Sequence, residues 1–168
     1  MKPIVAVDTD VLILLLSGDR ELSDRDRQRR SFSEQHLERL QKEHVGFAVP
    51  SPVLAELTAK RPGRAVLQAI AGLMGATRIV PLNADGAIVA GDIISRVLSG
   101  RPAGADRVRV KFDQLVAAVA HHVGARYLLT ANAADMQTAL RAISSGVVVL
   151  DASQAPVGET MRLPGVLP

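Results

Sequence analysis

Residues 111–136 read KFDQLVAAVAHHVGARYLLTANAADM, and the fold is decided in that stretch. Apolar residues recur at helical spacing from 112 to 124, a β-rich run follows from 126 to 130, and a second helical pattern covers 134–144. Asp113 stands near the start of the first helix, and Asp135 just after the strand. A strand that ends in polar residues and leads straight into a helix is the repeating unit of an open α/β sheet, whose ligand site lies where the strands end.

The same arrangement recurs along the chain. Strands are expected at 3–8, 46–49, 77–81 and 146–150, and helices at 9–17, 33–44, 51–60, 63–75 and 83–99. Alternation of this kind predicts one α/β domain, a parallel sheet covered by helices on both faces. The domain is expected to span 1–151, with a charged insertion at about 18–32 and an irregular tail over 152–168. Residues 18–31, GDRELSDRDRQRRS, alternate in charge without a core-forming face and read as a solvated loop or frayed helix. A second reading makes them an arm that clamps a partner or RNA, with Arg25, Arg27, Arg29 and Arg30 on phosphates. The Gly- and Pro-rich stretch 99–107 reads as a loop.

Four acids occupy the edges of apolar segments: Asp8 in IVAVDTDVLILLL, Glu56 in VPSPVLAELTA, Asp113 and Asp135. Drawn together they would repel unless a cation neutralised them, because nearby like charges disfavour joint ionisation. A divalent-metal site is the reading that removes the conflict. Thr9 is expected to cap the helix after Asp8, and Ser51 with Pro52 to open the helix carrying Glu56. Asp10 is assigned to the helix N-terminus rather than to the metal. Lys111 is placed to steady a carboxylate or a substrate phosphate, and an ordinary ion pair accounts for it equally well. His121 and His122 lie about two turns from Asp113 along the helix and are set aside as catalysts.

At 168 residues with a net charge of +3 the chain is long enough for a real core and only mildly basic, which identifies no polyanion by itself. Phe32, Phe47, Phe112 and Tyr127 are its only aromatic residues, too few for a base-stacking platform. A nucleic-acid partner would therefore be held through phosphates. The absence of cysteine removes thiolate metal sites and fits a cytoplasmic location. Asp8 and Asp10 interrupt the N-terminal apolar run, so neither a signal peptide nor a membrane span is expected.

VDTDVL at 7–12, PSPVLAEL at 50–57, KFDQLVAA at 111–118 and LLTANAADM at 128–136 come in the order of one family's motifs. On these residues the chain resembles the PIN-domain ribonucleases, and most closely the VapC-type toxins of bacterial toxin–antitoxin pairs, over about residues 3–150. The resemblance implies a three-layer α/β/α sandwich and an endoribonuclease dependent on Mg2+ or Mn2+. Asp8, Glu56, Asp113 and Asp135 match the family's acidic site, and Thr130 with Asn132 its polar TxN turn. Many relatives carry a further Asp where this chain has Asn132. In the implied mechanism Asp8 and Asp113 are the principal metal ligands, Glu56 orients or deprotonates the attacking water, and Asp135 with Asn132 completes a second site. Thr9, Thr130 and Lys111 would support them. The implied partners are an RNA substrate such as tRNA or rRNA, a cognate antitoxin, and a second copy in a homodimer.

Two other functions satisfy parts of the sequence. Asp8 and Asp10 also form the DxD of a haloacid-dehalogenase-like phosphatase, which needs a later acid pair after a strand, and Gly91-Asp92 is the nearest candidate. A PIN-like module that binds RNA or protein without cutting would be marked by a missing acid, and none of the four is missing.

Overall fold

The computed structural model describes residues 2–59, 61–99 and 107–157, with the side chains of Leu98 and residues 107–111 outside the description. Among the described residues the chain forms five strands and seven α-helices. In order they are β1 (Ile4–Val7), α1 (Thr9–Leu16), α2 (Asp24–Lys42), β2 (Gly46–Pro50), α3 (Ser51–Thr58), α4 (Gly63–Met74), β3 (Thr77–Val80), α5 (Ala84–Ser99), α6 (Arg107–His122), β4 (Tyr127–Thr130), α7 (Ala133–Ala142) and β5 (Val148–Asp151). Every strand pairing is parallel, and the sheet order is β3-β2-β1-β4-β5. Strand addition runs one way from β1 to β3 and then reverses to β4 and β5. Right-handed crossovers accordingly place α1–α4 on one face and α5–α7 on the other, the three-layer α/β/α sandwich of a PIN-like fold.

The sheet's centre is its driest part. β1, β2 and β4 supply Val5, Val7, Val49, Leu128 and Leu129, each fully buried, between Val11, Leu12 and Val53 of the first face and Val116, Ala117 and Met136 of the second. Strands covered on both faces are apolar throughout rather than alternating, as the wholly buried YLLT of β4 is. Burial of each large aliphatic side chain contributes about 1.5–3 kcal/mol. Truncating Leu128 to Ala would cost about 2–5 kcal/mol, because the surrounding packing collapses only in part.

β4 is delivered by a sharp helix stop. Gly124 takes φ +66°, its N–H bonds to the His121 carbonyl, and the Ala125 N–H reaches the Ala120 carbonyl. Such paired closures need a residue in the left-handed region, which glycine enters without steric cost. Three residues later the chain is in β4, registered against both β1 and β5.

The insertion is the main departure from expectation. Residues 24–42 form a continuous helix, preceded by a 3-10 turn over Asp19–Glu21, where the sequence reading has a solvated loop or frayed helix and a regular helix only from 33. Ser23 caps it: Oγ accepts from the Asp26 N–H at 3.2 Å and donates to the Asp26 carboxylate at 2.7 Å. Asp24 and Asp26 complement the helix dipole, Arg30 pairs with Glu34 one turn on, and Ser33, His36, Leu37 and Leu40 are buried. Alternating charge masked a capped amphipathic helix. Helix α6 likewise begins at Arg107, upstream of the expected 112. The loop read at 99–107 falls, over 100–106, outside the described residues, as does the tail beyond Val157. The tail's described part, 152–157, forms no helix or strand.

Candidate metal centre

Reversal of strand addition at β1 opens a crevice between the carboxyl ends of β1 and β4, the topological switch point where open α/β sheets bind ligands. Asp8 is the residue after β1. Its backbone N–H continues the ladder to the Leu129 carbonyl at 3.0 Å, which fixes the side chain at the crevice mouth. Asp8, not Thr9, caps α1: Oδ1 accepts from the Thr9 N–H at 2.7 Å. Thr130, the last residue of β4, is fully buried and donates its hydroxyl to Asp8 Oδ2 at 2.7 Å. The freed Thr9 hydroxyl donates to Glu56 Oε2, a short contact that joins α1 to α3.

Ser51 departs from its expected role in the same way. Pro50 occupies the cap position of α3 without a side-chain bond, and Ser51 Oγ accepts instead from the Leu82 N–H at 2.9 Å, tying α3 to the chain after β3.

The second half of the centre is organised by Asn132. Its N–H donates to Thr130 Oγ1 at 3.0 Å, a two-residue turn that aims the amide at the carboxylates. From there Nδ2 donates to Asp113 Oδ2 and to Asp135 Oδ2, each at 3.1 Å. Helix α6 brings Asp113 and helix α7 brings Asp135, so two helices meet at one amide.

Burial pushes the Asp8 carboxyl from 3.8 up to about 7. The Thr130 hydroxyl and the Thr9 N–H pull it down, while Asp10 and Asp113 push it further up by like charge. A carboxylate that is expensive to ionise where it stands is one that a cation would stabilise. The donors here are hard oxygens, the type a hard divalent ion prefers. Among the described residues no group of three or more Asp, Glu or His side chains is gathered at metal-holding spacing. A magnesium-type ion keeps several waters and takes one or two carboxylates together with substrate phosphate, so the pairs formed around Asp8 and Asp113 fit it without a closed protein cage.

The remaining candidates are distributed as follows. Arg27 pairs with Asp24 and the Asp19 carbonyl, and Arg30 with Asp19, Glu34 and the Ser17 carbonyl, all on α2 or in the chain just before it. Arg25 is exposed on α2. Among the described contacts Arg29 alone of the four reaches the strand ends, its Nη2 donating to the Ala131 carbonyl at 3.2 Å. The Lys111 side chain lies outside the described residues. His121 bonds Ser145 and His122 bonds Asn83, away from the carboxylates. Asp92 is exposed on α5 rather than at a strand end. A cavity of about 230 Å³ lies elsewhere, between α2 and β5, lined by His36, Arg39, Glu43, Leu150 and Pro156 among others.

No protein-family model matches the sequence, and no curated protein does. Among solved structures the chain is similar to VapBC2 from Rickettsia felis bound to a DNA fragment from their promoter. The TM-score is 0.58 at 18% identity, over 88% of this chain and 98% of that one. Also similar are DNA-bound VapBC from Salmonella typhimurium, with TM-score 0.49 and 19% identity over 90% and 99%, and the sarcin-ricin loop cleaving toxin VapC20 from Mycobacterium tuberculosis, with TM-score 0.44 and 20% identity over 74% and 86%. The first of these likenesses establishes that the fold is shared with a VapBC chain. Among the described residues no helix is long and apolar enough to cross a membrane.

Proposed function

We propose that this chain is an endoribonuclease dependent on Mg2+ or Mn2+, and the toxin of a VapBC-type pair. The observation that carries the reading is a hydrogen-bonded chain at the switch point of a VapBC-like fold: Thr130 links Asp8 to Asn132, the Asn132 amide bridges Asp113 and Asp135, and Thr9 beside Asp8 holds Glu56. Asp8 and Asp113 would hold the ion, Asp135 and Asn132 would complete its surroundings, and Glu56 would orient the attacking water or take its proton. When bound, the ion makes a water easier to deprotonate and offsets charge on the phosphate. Thr130 and Thr9 hold Asp8 and Glu56 in place, so that little reorganisation accompanies cleavage.

The similar Rickettsia structure is of VapBC2 on promoter DNA, which supports an antitoxin as the second partner. Exposed Ile13, Leu67 and Ile88 offer apolar surface on α1, α4 and α5 for that antitoxin or for a second copy. The cytoplasm is the matching compartment for such a pair.

A second reading is a PIN-like module that binds RNA or protein without cutting it. The amide of Asn132 favours it, because a neutral donor already satisfies Asp113 and Asp135 together.

Incubation with pooled tRNA and ribosomal RNA in Mg2+ or Mn2+, beside Asp8→Asn, separates the two. Metal-dependent fragments lost in the variant support the nuclease, and mapping their ends names the target. RNA left intact at every metal concentration, with metal binding also absent, would transfer the assignment to the non-catalytic module.

A further inference from the structure

Arg29 touches none of the four acids through a described contact, yet it grips the turn that arranges them. The Ala131 carbonyl that receives Nη2 at 3.2 Å lies between Thr130, which holds Asp8, and Asn132, which bridges Asp113 and Asp135. A guanidinium–carbonyl bond is charge-assisted and stronger than a neutral one. Arg29 is partly buried, its Nη1 stands 3.9 Å from Asp26 Oδ1, and its Nε is buried with no hydrogen-bond partner among the described residues. An orphaned buried donor is unfavourable.

We propose that Arg29 is a positioning residue for the metal centre: α2, through Arg29, clamps the Thr130–Ala131–Asn132 turn and so sets the spacing of Asp8, Asp113 and Asp135. Only the metal-binding part of this inference rests on the nuclease reading, since the clamp itself is independent of any ion. Arg29 thereby leaves the group of arginines read as phosphate ligands. Its donor is spent on the protein's own backbone, and α2 is made a structural part of the site rather than an arm beside it.

Two measurements on Arg29→Met, Arg29→Lys and the exposed control Gln28→Ala test it. In metal-free protein the Asn132 amide, bonded to Thr130 Oγ1, should exchange its hydrogen on the order of tenfold faster in Arg29→Met, with partial recovery in Arg29→Lys and none of the effect in Gln28→Ala. Mn2+ binding followed by electron paramagnetic resonance without RNA should weaken about tenfold in Arg29→Met, as for loss of a group that orients ligands. Unchanged Asn132 exchange in a folded Arg29→Met protein overturns the clamp, whatever the metal does. Tighter Mn2+ binding would make Arg29 a mere opposing charge, and an unchanged Mn2+ affinity with a raised KM for RNA would return it to the phosphate ligands. Absence of Mn2+ binding in the parent chain removes the nuclease reading and leaves the exchange result to decide the clamp.

Discussion

Thr130 and Asp8, 122 positions apart in sequence, are joined by a 2.7 Å hydrogen bond that fastens the end of β4 to the residue after β1. The same hydroxyl accepts the Asn132 N–H, so one oxygen organises both halves of the acidic centre. Thr130→Val keeps the shape and removes both bonds. Unfolding in urea should show a loss of about 1–3 kcal/mol, with most of it recovered in Thr130→Ser. Equal stability of the Val variant and the parent would show that the hydroxyl organises nothing.

A pH signature follows from Asp8. Its carboxyl is raised from 3.8 to about 7 chiefly by burial, so between those values the folded chain keeps a proton that the unfolded chain has released. The resulting stability is fully present below the unfolded value and is lost as pH rises through the folded one, a change on the order of 4 kcal/mol. His36 runs in the opposite sense. Burial lowers its pKa from 6.5, so its contribution is lost as pH falls. Comparison with Asp8→Asn cancels the histidine. From pH 5 to pH 8 the unfolding free energy of the metal-free variant should gain about 3 kcal/mol on that of the parent, and Mn2+ at pH 8 should raise the parent's alone. Parallel pH curves for the two proteins would contradict the raised carboxyl.

Asn132→Asp tests the amide bridge. The change exchanges two donations to Asp113 and Asp135 for a third acid between them, so the metal-free protein should lose about 2 kcal/mol by thermal unfolding at pH 7.5. Mn2+ should then raise the melting temperature more than it does for the parent, since a third carboxylate favours the cation. An unaltered metal-free melting temperature would mean that Asn132 bridges nothing in solution.

Asp8 and Asp135 were legible at the sheet's edge because each closely follows a buried strand, and a short connection there leaves a side chain few places to go. Asp113, by contrast, lies well inside α6, which starts upstream of the helix expected from the sequence. The parallel sheet was legible in runs such as YLLT. The division of labour around the acids was not. Thr9 reads as a cap, but Asp8 sits one residue closer to the strand and takes the Thr9 N–H, leaving the hydroxyl for Glu56. Ser51 reads as a cap too, and is drawn instead to Leu82, a neighbour supplied only by the sheet order. Helix α2 was hidden by its charge, though Ser23 three residues ahead of Asp26 was a capping signal open to notice. Arg29 on Ala131 is a contact across 102 positions, beyond what local spacing reports.

Asp113→Asn separates chemistry from folding. The new side chain still offers an oxygen to Asn132 Nδ2, and the loss of one charge relieves repulsion on Asp8, whose pKa Asp113 helps to raise. The variant should therefore fold at least as well as the parent at pH 8, and its Asp8 should titrate at lower pH, read from side-chain carboxyl resonances. RNA cleavage should fall by at least on the order of a hundredfold if Asp113 is the ligand proposed, since the substitution replaces its carboxylate by a neutral amide. The two readouts move for different reasons. A downward titration of Asp8 with cleavage intact would keep the electrostatic centre and discard Asp113 as a ligand. Lost cleavage with Asp8 unmoved would place the two acids too far apart to share an ion.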